Sequence, residues 1–244
     1  MWRVLRAKDT GTIEAMAPTV AELPPQSAPT DRRTGDSAAS EVTFEEYLRL
    51  NEASERRLEY DEGTVLPMPT PQPLHDLLRK LISKILESSL GANMLVYAGQ
   101  GAVRRGESRV YCPDVVAFPL PMTTEPVGSS YALTEPIVIA EVLSPSAESL
   151  DRGRKLQTYL EKPSLRAYLL VDQSTPCVEW YAREEESADW TYHVAKGRDA
   201  VATFDVRSDG EAVRVEVPLA ELYAAMPDEA VETSGGESSG GIGE

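Results

Sequence analysis

Within EPIVIAEVLS (135–144), the stretch from Pro136 to Leu143 is apolar but for a single acid, Glu141. A strand this apolar belongs inside a sheet covered on both faces, because a strand with one wet face alternates apolar and polar positions. The chain must therefore supply a layer for each side. Leu74, Leu77, Leu78, Leu81, Ile82, Ile85 and Leu86 follow the i, i+3, i+4, i+7 spacing of an amphipathic helix over 74–90, and Gly91 ends it. Thr43 with Glu46 three residues on forms a capping box that opens a shorter helix over FEEYLRLNE.

Further strands are predicted in MLVYAG, VYCPDVVAFPL, RAYLLVD (166–172), PCVEWYAR, WTYHVA and AVRVEVP, with RRLEYDEGTVL (56–66) a hairpin about Asp61-Glu62-Gly63. Ala147 to Leu160 predicts a helix turning Leu150, Leu156 and Leu160 inward, and LAELYAAM a final one. This order predicts an α/β fold: a mixed central β-sheet flanked by helices, with a small C-terminal β annex. Residues 1–40 are rich in Pro, Ser, Thr and Ala and read as a disordered leader; the Gly/Ser/Glu-rich segment 228–244 reads as a disordered acidic tail. The ordered domain is 41–227.

Charge narrows the functions open to it. The net charge is −16, and residues 41–227 hold 19 basic against 30 acidic side chains. Such a domain repels bulk polyphosphate, so a nonspecific nucleic-acid coat is not expected and a nucleic-acid enzyme needs a local basic patch or bound cations. No apolar run approaches 18 residues, which argues against a membrane-spanning helix, and Met1 to Met16 lack the apolar centre of a secretory signal. A cytoplasmic protein is expected. Cys112 and Cys177 have no zinc-site spacing and read as reduced core residues.

Two acids stand where acids are costly. Asp114 opens the Val-Val-Ala-Phe strand and Glu141 lies within its apolar run. Ionised carboxylates are rarely buried unless paired or bound to a cation. From neighbouring strands the two can converge, and either a hard divalent cation or a raised pKa on one of them relieves their repulsion. Lys155 falls at i+4 from Asp151 and is placed to point back over the sheet toward them, with Tyr159 four residues on along the same face. Taken singly, these residues have ordinary readings: Asp114 as a turn residue after Pro113, Lys155 as a solvated partner of Asp151, His193 and both cysteines as structural, and Glu184 to Glu186 as a solvated turn. Gly99-Gln100-Gly101 is half a dinucleotide fingerprint with no third glycine, and Ser144 and Ser146 read as helix caps, not nucleophiles.

RLEYDEG, His75, CPDVVAF and PIVIAEVLSPSAESLDRGRKLQTYLEKPSLRAYLLVD together resemble the Uma2 family (DUF820) of the PD-(D/E)XK, restriction-endonuclease-like superfamily. The likeness covers about 41–225 and is most specific over 136–172, with Pro113-Asp114 as the "PD". It implies that Asp114 and Glu141 are metal-binding acids and that Lys155 takes the basic role, since the position two after the glutamate is Leu143. Glu59 matches the acid of the first hairpin and is implied as a further metal ligand; His75 matches a histidine opening the long helix. The implied activity is Mg²⁺- or Mn²⁺-dependent hydrolysis of phosphodiester bonds in DNA, with a homodimer by analogy; the sequence itself offers Arg104, Arg105, Arg109, Arg152 and Arg154 as the available phosphate contacts. The alternative is a degenerate member of the fold serving as an interaction or binding module.

Overall fold

The computed structural model describes residues 41–70, 72–145, 147–184, 189–208 and 211–226. The expected leader (1–40), the expected tail (228–244), Ser146, Glu185 and Glu186 lie outside the described residues. In chain order the elements are α1 (Phe44–Ala53), β1 (Leu58–Asp61), β2 (Thr64–Pro67), α2 (Pro73–Leu90), β3 (Met94–Ala98), β4 (Val103–Arg105), β5 (Arg109–Tyr111), β6 (Val115–Pro119), β7 (Thr124–Val127), β8 (Ser130–Leu133) and β9 (Val138–Leu143). There follow α3 (Glu148–Leu150), a π-helical segment Asp151–Lys155, α4 (Leu156–Leu160), β10 (Ala167–Asp172), β11 (Cys177–Ala182), β12 (Thr191–Lys196), β13 (Val201–Ser208), β14 (Glu211–Pro218) and α5 (Leu219–Leu222).

β9 is buried at every residue, as its composition requires, and lies inside a six-stranded sheet of order β12-β11-β10-β9-β6-β3. β9 and β10 run parallel and every other pair in this sheet is antiparallel, so the sheet is mixed as predicted. Alternation divides β9 between two layers. Val138, Ala140 and Val142 pack with Leu78, Ile82 and Leu86 of α2. Ile139 and Leu143 pack with Tyr159 of α4, Tyr168 of β10 and Tyr111 of β5. Glu141 has the parity of the second set.

The predicted strand VYCPDVVAFPL is two strands in two sheets. β5 belongs to a second six-stranded sheet of order β2-β1-β5-β4-β8-β7, whereas β6 lies in the central one. Pro113 donates no amide hydrogen and cannot continue a ladder, so the chain changes sheets across Cys112-Pro113-Asp114. Asp114 is thereby set at the seam. β4, β7 and β8 carry no clear alternation, and Pro126 interrupts β7, which is why periodicity did not reveal them.

The C-terminal annex is also rearranged. WTYHVA joins the central sheet as β12, and the annex is the β13–β14 hairpin, whose first strand was not predicted. Ala202, Phe204, Val206, Val215 and Val217 pack into the same core as α2, so the hairpin covers an apolar face. α1 and α2 lie where expected; Thr43 accepts from the Glu46 amide at 3.2 Å, and Gly91 leaves α2 at φ 78°. Over 147–160 the inward face is polar: Asp151, Lys155, Thr158 and Tyr159 are buried, while Leu150, Leu156 and Leu160 are only half-buried. Ala147 is the cap residue of that helix, and Ser144 contributes its carbonyl, which accepts the amides of Ala147 and Glu148. Among the described residues no helix is long and apolar enough to cross a membrane.

Phe204 is 4% exposed and Val201, on the other face of the same strand, 41%. Phe204→Ala should lower unfolding free energy by about 3–5 kcal/mol in urea titration, through lost burial and a cavity. Val201→Ala should change it by less than about 0.5 kcal/mol.

Candidate active site

β6 and β9 pair with Val115 opposite Ala140, so one step on, Asp114 stands opposite Glu141. Their main chains and carboxylates are laced reciprocally. The Asp114 amide donates to Glu141 Oε2 at 3.1 Å, and the Val142 amide donates to Asp114 Oδ2 at 2.8 Å. Each carboxylate is oriented by the strand that carries the other, which fixes the pair rigidly.

Lys155 arrives from the helical stretch packed on the face that Glu141 shares with Ile139 and Leu143. Asp151, Lys155 and Tyr159 follow one another at four-residue steps through the π-helical segment into α4, and all three are buried. Lys155 Nζ is 3.2 Å from Glu141 Oε1, 3.2 Å from Glu59 Oε1 and 3.1 Å from Asp151 Oδ1. Tyr159 donates its hydroxyl to the same Glu141 oxygen at 3.2 Å, and Cys112 donates its amide to Glu59 Oε1 at 2.8 Å. From α2, His75 Nε2 lies 3.1 Å from Asp114 Oδ2. The structure thus brings together all four predicted residues, Asp114, Glu141, Lys155 and Glu59.

The electrostatics are severe. Burial raises the Glu141 pKa well above the ordinary carboxylate value, and repulsion from Asp151, Asp114 and Glu59 adds to it while Lys155 opposes. Burial likewise pushes Asp151 up to about 6 against the pull of Lys155. Burial alone would lower Lys155, yet Glu141, Glu59 and Asp151 hold it well above its ordinary value. Burial also works against His75, and the hydrogen bond and charge of Asp114 outweigh it, so its pKa is raised. Three carboxylates share one ammonium and Asp114 stands beside them, an anionic surplus that a divalent cation would neutralise.

Among the described residues no three His, Cys, Asp or Glu side chains form a ready-made metal cage. Magnesium does not need one: it binds through one or two carboxylates and keeps the remaining positions for water and phosphate oxygens. The Asp114–Glu141 pair, hard in its donors and fixed in geometry, fits such an ion.

The five predicted phosphate contacts do not form a free basic patch. Arg105 pairs with Glu161 at 2.6 Å, Arg109 with Asp61 at 3.1 Å and Glu62 at 2.7 Å, and Arg152 with Glu179 at 2.7 Å and Glu148 at 2.8 Å. Arg104 donates to the carbonyls of Gly106 and Pro126, and Arg154 pairs with Asp61. Other expectations resolve simply. Both cysteines are free, and burial pushes the Cys112 thiol up to about 11, which leaves it unreactive. His193 stacks on Trp180. Gly99 has φ 66°, and Gly101 has no room for a Cβ against Val116, so these glycines serve the turn and its packing. His75 and Asp151 were not assigned a place in the site from sequence. The four-residue steps 151–155–159 were a signal for Asp151; nothing local marked His75.

Comparison with known proteins gives the family and the fold. The profile of the Uma2 family, described as "Putative restriction endonuclease", matches residues 44–206. An uncharacterized protein of Synechocystis sp., sll1609, is 30% identical over 166 residues, spanning 67% of this chain and 92% of that one. A second, slr1290, is 29% identical over 148 residues, spanning 60% and 76%. The crystal structure of "a putative nuclease belonging to DUF820" from Anabaena variabilis superposes with a TM-score of 0.56 at 18% identity, covering 75% of this chain and 98% of that one. At that identity the likeness is one of fold.

Asp151 titrates at about 6 when folded against an ordinary 3.8, so the folded state holds its proton more tightly and its contribution to stability falls as pH rises through that window. Asp151→Asn removes this titration. In chelator, its unfolding free energy relative to the parent should rise between pH 4 and 7; a difference flat with pH would contradict the assignment.

Proposed function

Because the chain belongs to the Uma2 family, we propose that it is a divalent-metal-dependent endonuclease that hydrolyses phosphodiester bonds, with DNA as its substrate and Mg²⁺ or Mn²⁺ as its cofactor. The observation that carries this reading is the Asp114–Glu141 pair, laced across β6 and β9, with Lys155 Nζ 3.2 Å from Glu141. Asp114 and Glu141 would hold the cation, with Glu59 joining the same anionic set. Bound there, the cation supplies Lewis acidity and cancels negative charge where a phosphate must approach.

The protein's own groups divide the remaining work. Lys155 keeps its proton at neutral pH, since three carboxylates raise its pKa, so it acts as a fixed cation that stabilises charge growing on the phosphate and does not serve as a base. Tyr159 and Glu59 keep Glu141 and Lys155 in register. Of the five predicted contacts, Arg154 is the one best able to grip a phosphate. Its side chain is 59% exposed, and the Asp61 it leaves retains Arg109 at 3.1 Å and the Tyr111 hydroxyl at 2.9 Å. Its departure would strand no buried charge. A homodimer would supply one such site for each DNA strand.

A second reading has its own support. With the five predicted phosphate contacts engaged by carboxylates or carbonyls, and an acidic domain around them, the fold could serve as an interaction module that does not cut.

The purified full chain should bind Mn²⁺ in calorimetry and cut DNA in Mg²⁺ or Mn²⁺, with cutting abolished by EDTA. Asp114→Ala should lose both properties. Lys155→Met should keep the ion and lower kcat by about 10²–10³-fold. A parent protein that binds no divalent ion at millimolar levels ends the enzyme reading; one that binds the ion but never cuts DNA or RNA leaves the interaction module. Arg154→Gln should weaken DNA binding with little change in unfolding midpoint and reduce the salt slope of log K by about 1.

A further inference from the structure

His75 stands in the first turn of α2, after Pro73, on a helix anchored by Leu78, Ile82, Leu86 and Leu90 in the core beneath the central sheet. Its backbone therefore has little freedom. Its Nε2 meets Asp114 Oδ2 at 3.1 Å, and the Val142 amide donates to that same oxygen at 2.8 Å. Both contacts use Oδ2 and neither uses Oδ1. An ionised carboxylate has no proton to give, so the hydrogen of this contact sits on Nε2. The other ring nitrogen, Nδ1, is buried and has no hydrogen-bond partner among the described residues. One nitrogen is committed to Asp114 and the other is shut away from solvent, which leaves neither to meet a substrate.

We propose that His75 is a positioning residue: with the Val142 amide it clamps Asp114 by Oδ2, and so presents Oδ1 to the divalent cation. The role rests on the nuclease reading above and adds to it a residue from the opposite layer of the fold. A carboxylate held by one donor can rotate about its terminal bond; held by two donors from different elements, it cannot. Donors behind a ligating carboxylate typically contribute about 10–100-fold to metal affinity. The arrangement also accounts for the buried, unsatisfied Nδ1. A histidine kept for packing alone would give way to an apolar residue, whereas one needed for its Nε2–H must bring the second nitrogen with it.

The test is a Mn²⁺ titration of the full chain by calorimetry at fixed pH, with unfolding midpoints measured on the same samples without metal. His75→Phe fills the space without a donor and should weaken Mn²⁺ binding by about 10–100-fold. His75→Gln, whose amide nitrogen reaches the Nε2 position, should stay within a few-fold of the parent, whereas His75→Asn, too short to reach, should resemble the phenylalanine variant. Unchanged midpoints with this pattern establish positioning. Equal Mn²⁺ affinity in parent and His75→Phe overturns the proposal while the nuclease reading stands. So does a glutamine variant as weak as the phenylalanine one, which would make the ring itself a ligand. Should His75→Phe fail to fold, the glutamine and asparagine variants decide alone, and equal affinity in those two refutes the clamp. A parent that binds no Mn²⁺ overturns both readings together.

Discussion

A buried ammonium shared by three carboxylates is the interaction on which this protein's site depends. Lys155 Nζ lies within 3.2 Å of Glu59, Glu141 and Asp151, and each of the four residues is at most 5% exposed. Ion pairs so deep seldom repay their desolvation, and an apolar replacement of the same volume would often be as stable. The raised pKa values of Glu141 and Asp151 are that cost made visible. A chain that could have closed this layer with leucine instead keeps five ionisable groups there, counting Asp114, and the perturbed ones among them, Glu141, Asp151 and Lys155, point to chemistry more than to stability.

The architecture exists to bring these charges together. Pro113 stops the ladder after β5, the chain crosses from one sheet to the other, and Asp114 is left at the seam with its amide and carboxylate both available to β9. β1 contributes Glu59 from the second sheet, the helical segment over β9 and β10 contributes Asp151 and Lys155, and α2 contributes His75 from the far layer. The start of β6, β9, β1, the helical segment and α2 thus meet at one end of the central sheet. Every participant is held by backbone hydrogen bonds or by a packed helix, so the fold fixes the geometry of the cluster.

The acidity of the domain has a structural counterpart in how its arginines are spent. Arg105, Arg109, Arg152 and Arg154 each lie against at least one carboxylate. Their charge balances local surplus before it can attract a polyanion. Any nucleic acid bound here must therefore exchange partners with those carboxylates, and the easiest exchange is the one in which the abandoned acid keeps other donors, as Asp61 does through Arg109 and Tyr111.

The amino-acid sequence by itself determined the long helix, the most apolar strands and which acids are out of place, while β4, β7, β8 and β13 left no local signal. The apolar run around Glu141 required a strand buried on both faces, the leucine and isoleucine spacing of 74–90 required the long helix, and an acid in each of two apolar strands marked Asp114 and Glu141. The four-residue step from Asp151 to Lys155 placed the ammonium on the right face. Each of these follows from backbone geometry over a few residues, so each can be read locally. Tertiary structure alone decided that VYCPDVVAFPL divides between two sheets, that the annex is the 201–218 hairpin, that the inward face of 147–160 is polar, and that His75 reaches Asp114. Those outcomes depend on how distant layers stack, and burial against a remote neighbour leaves no periodic trace in the residues that meet.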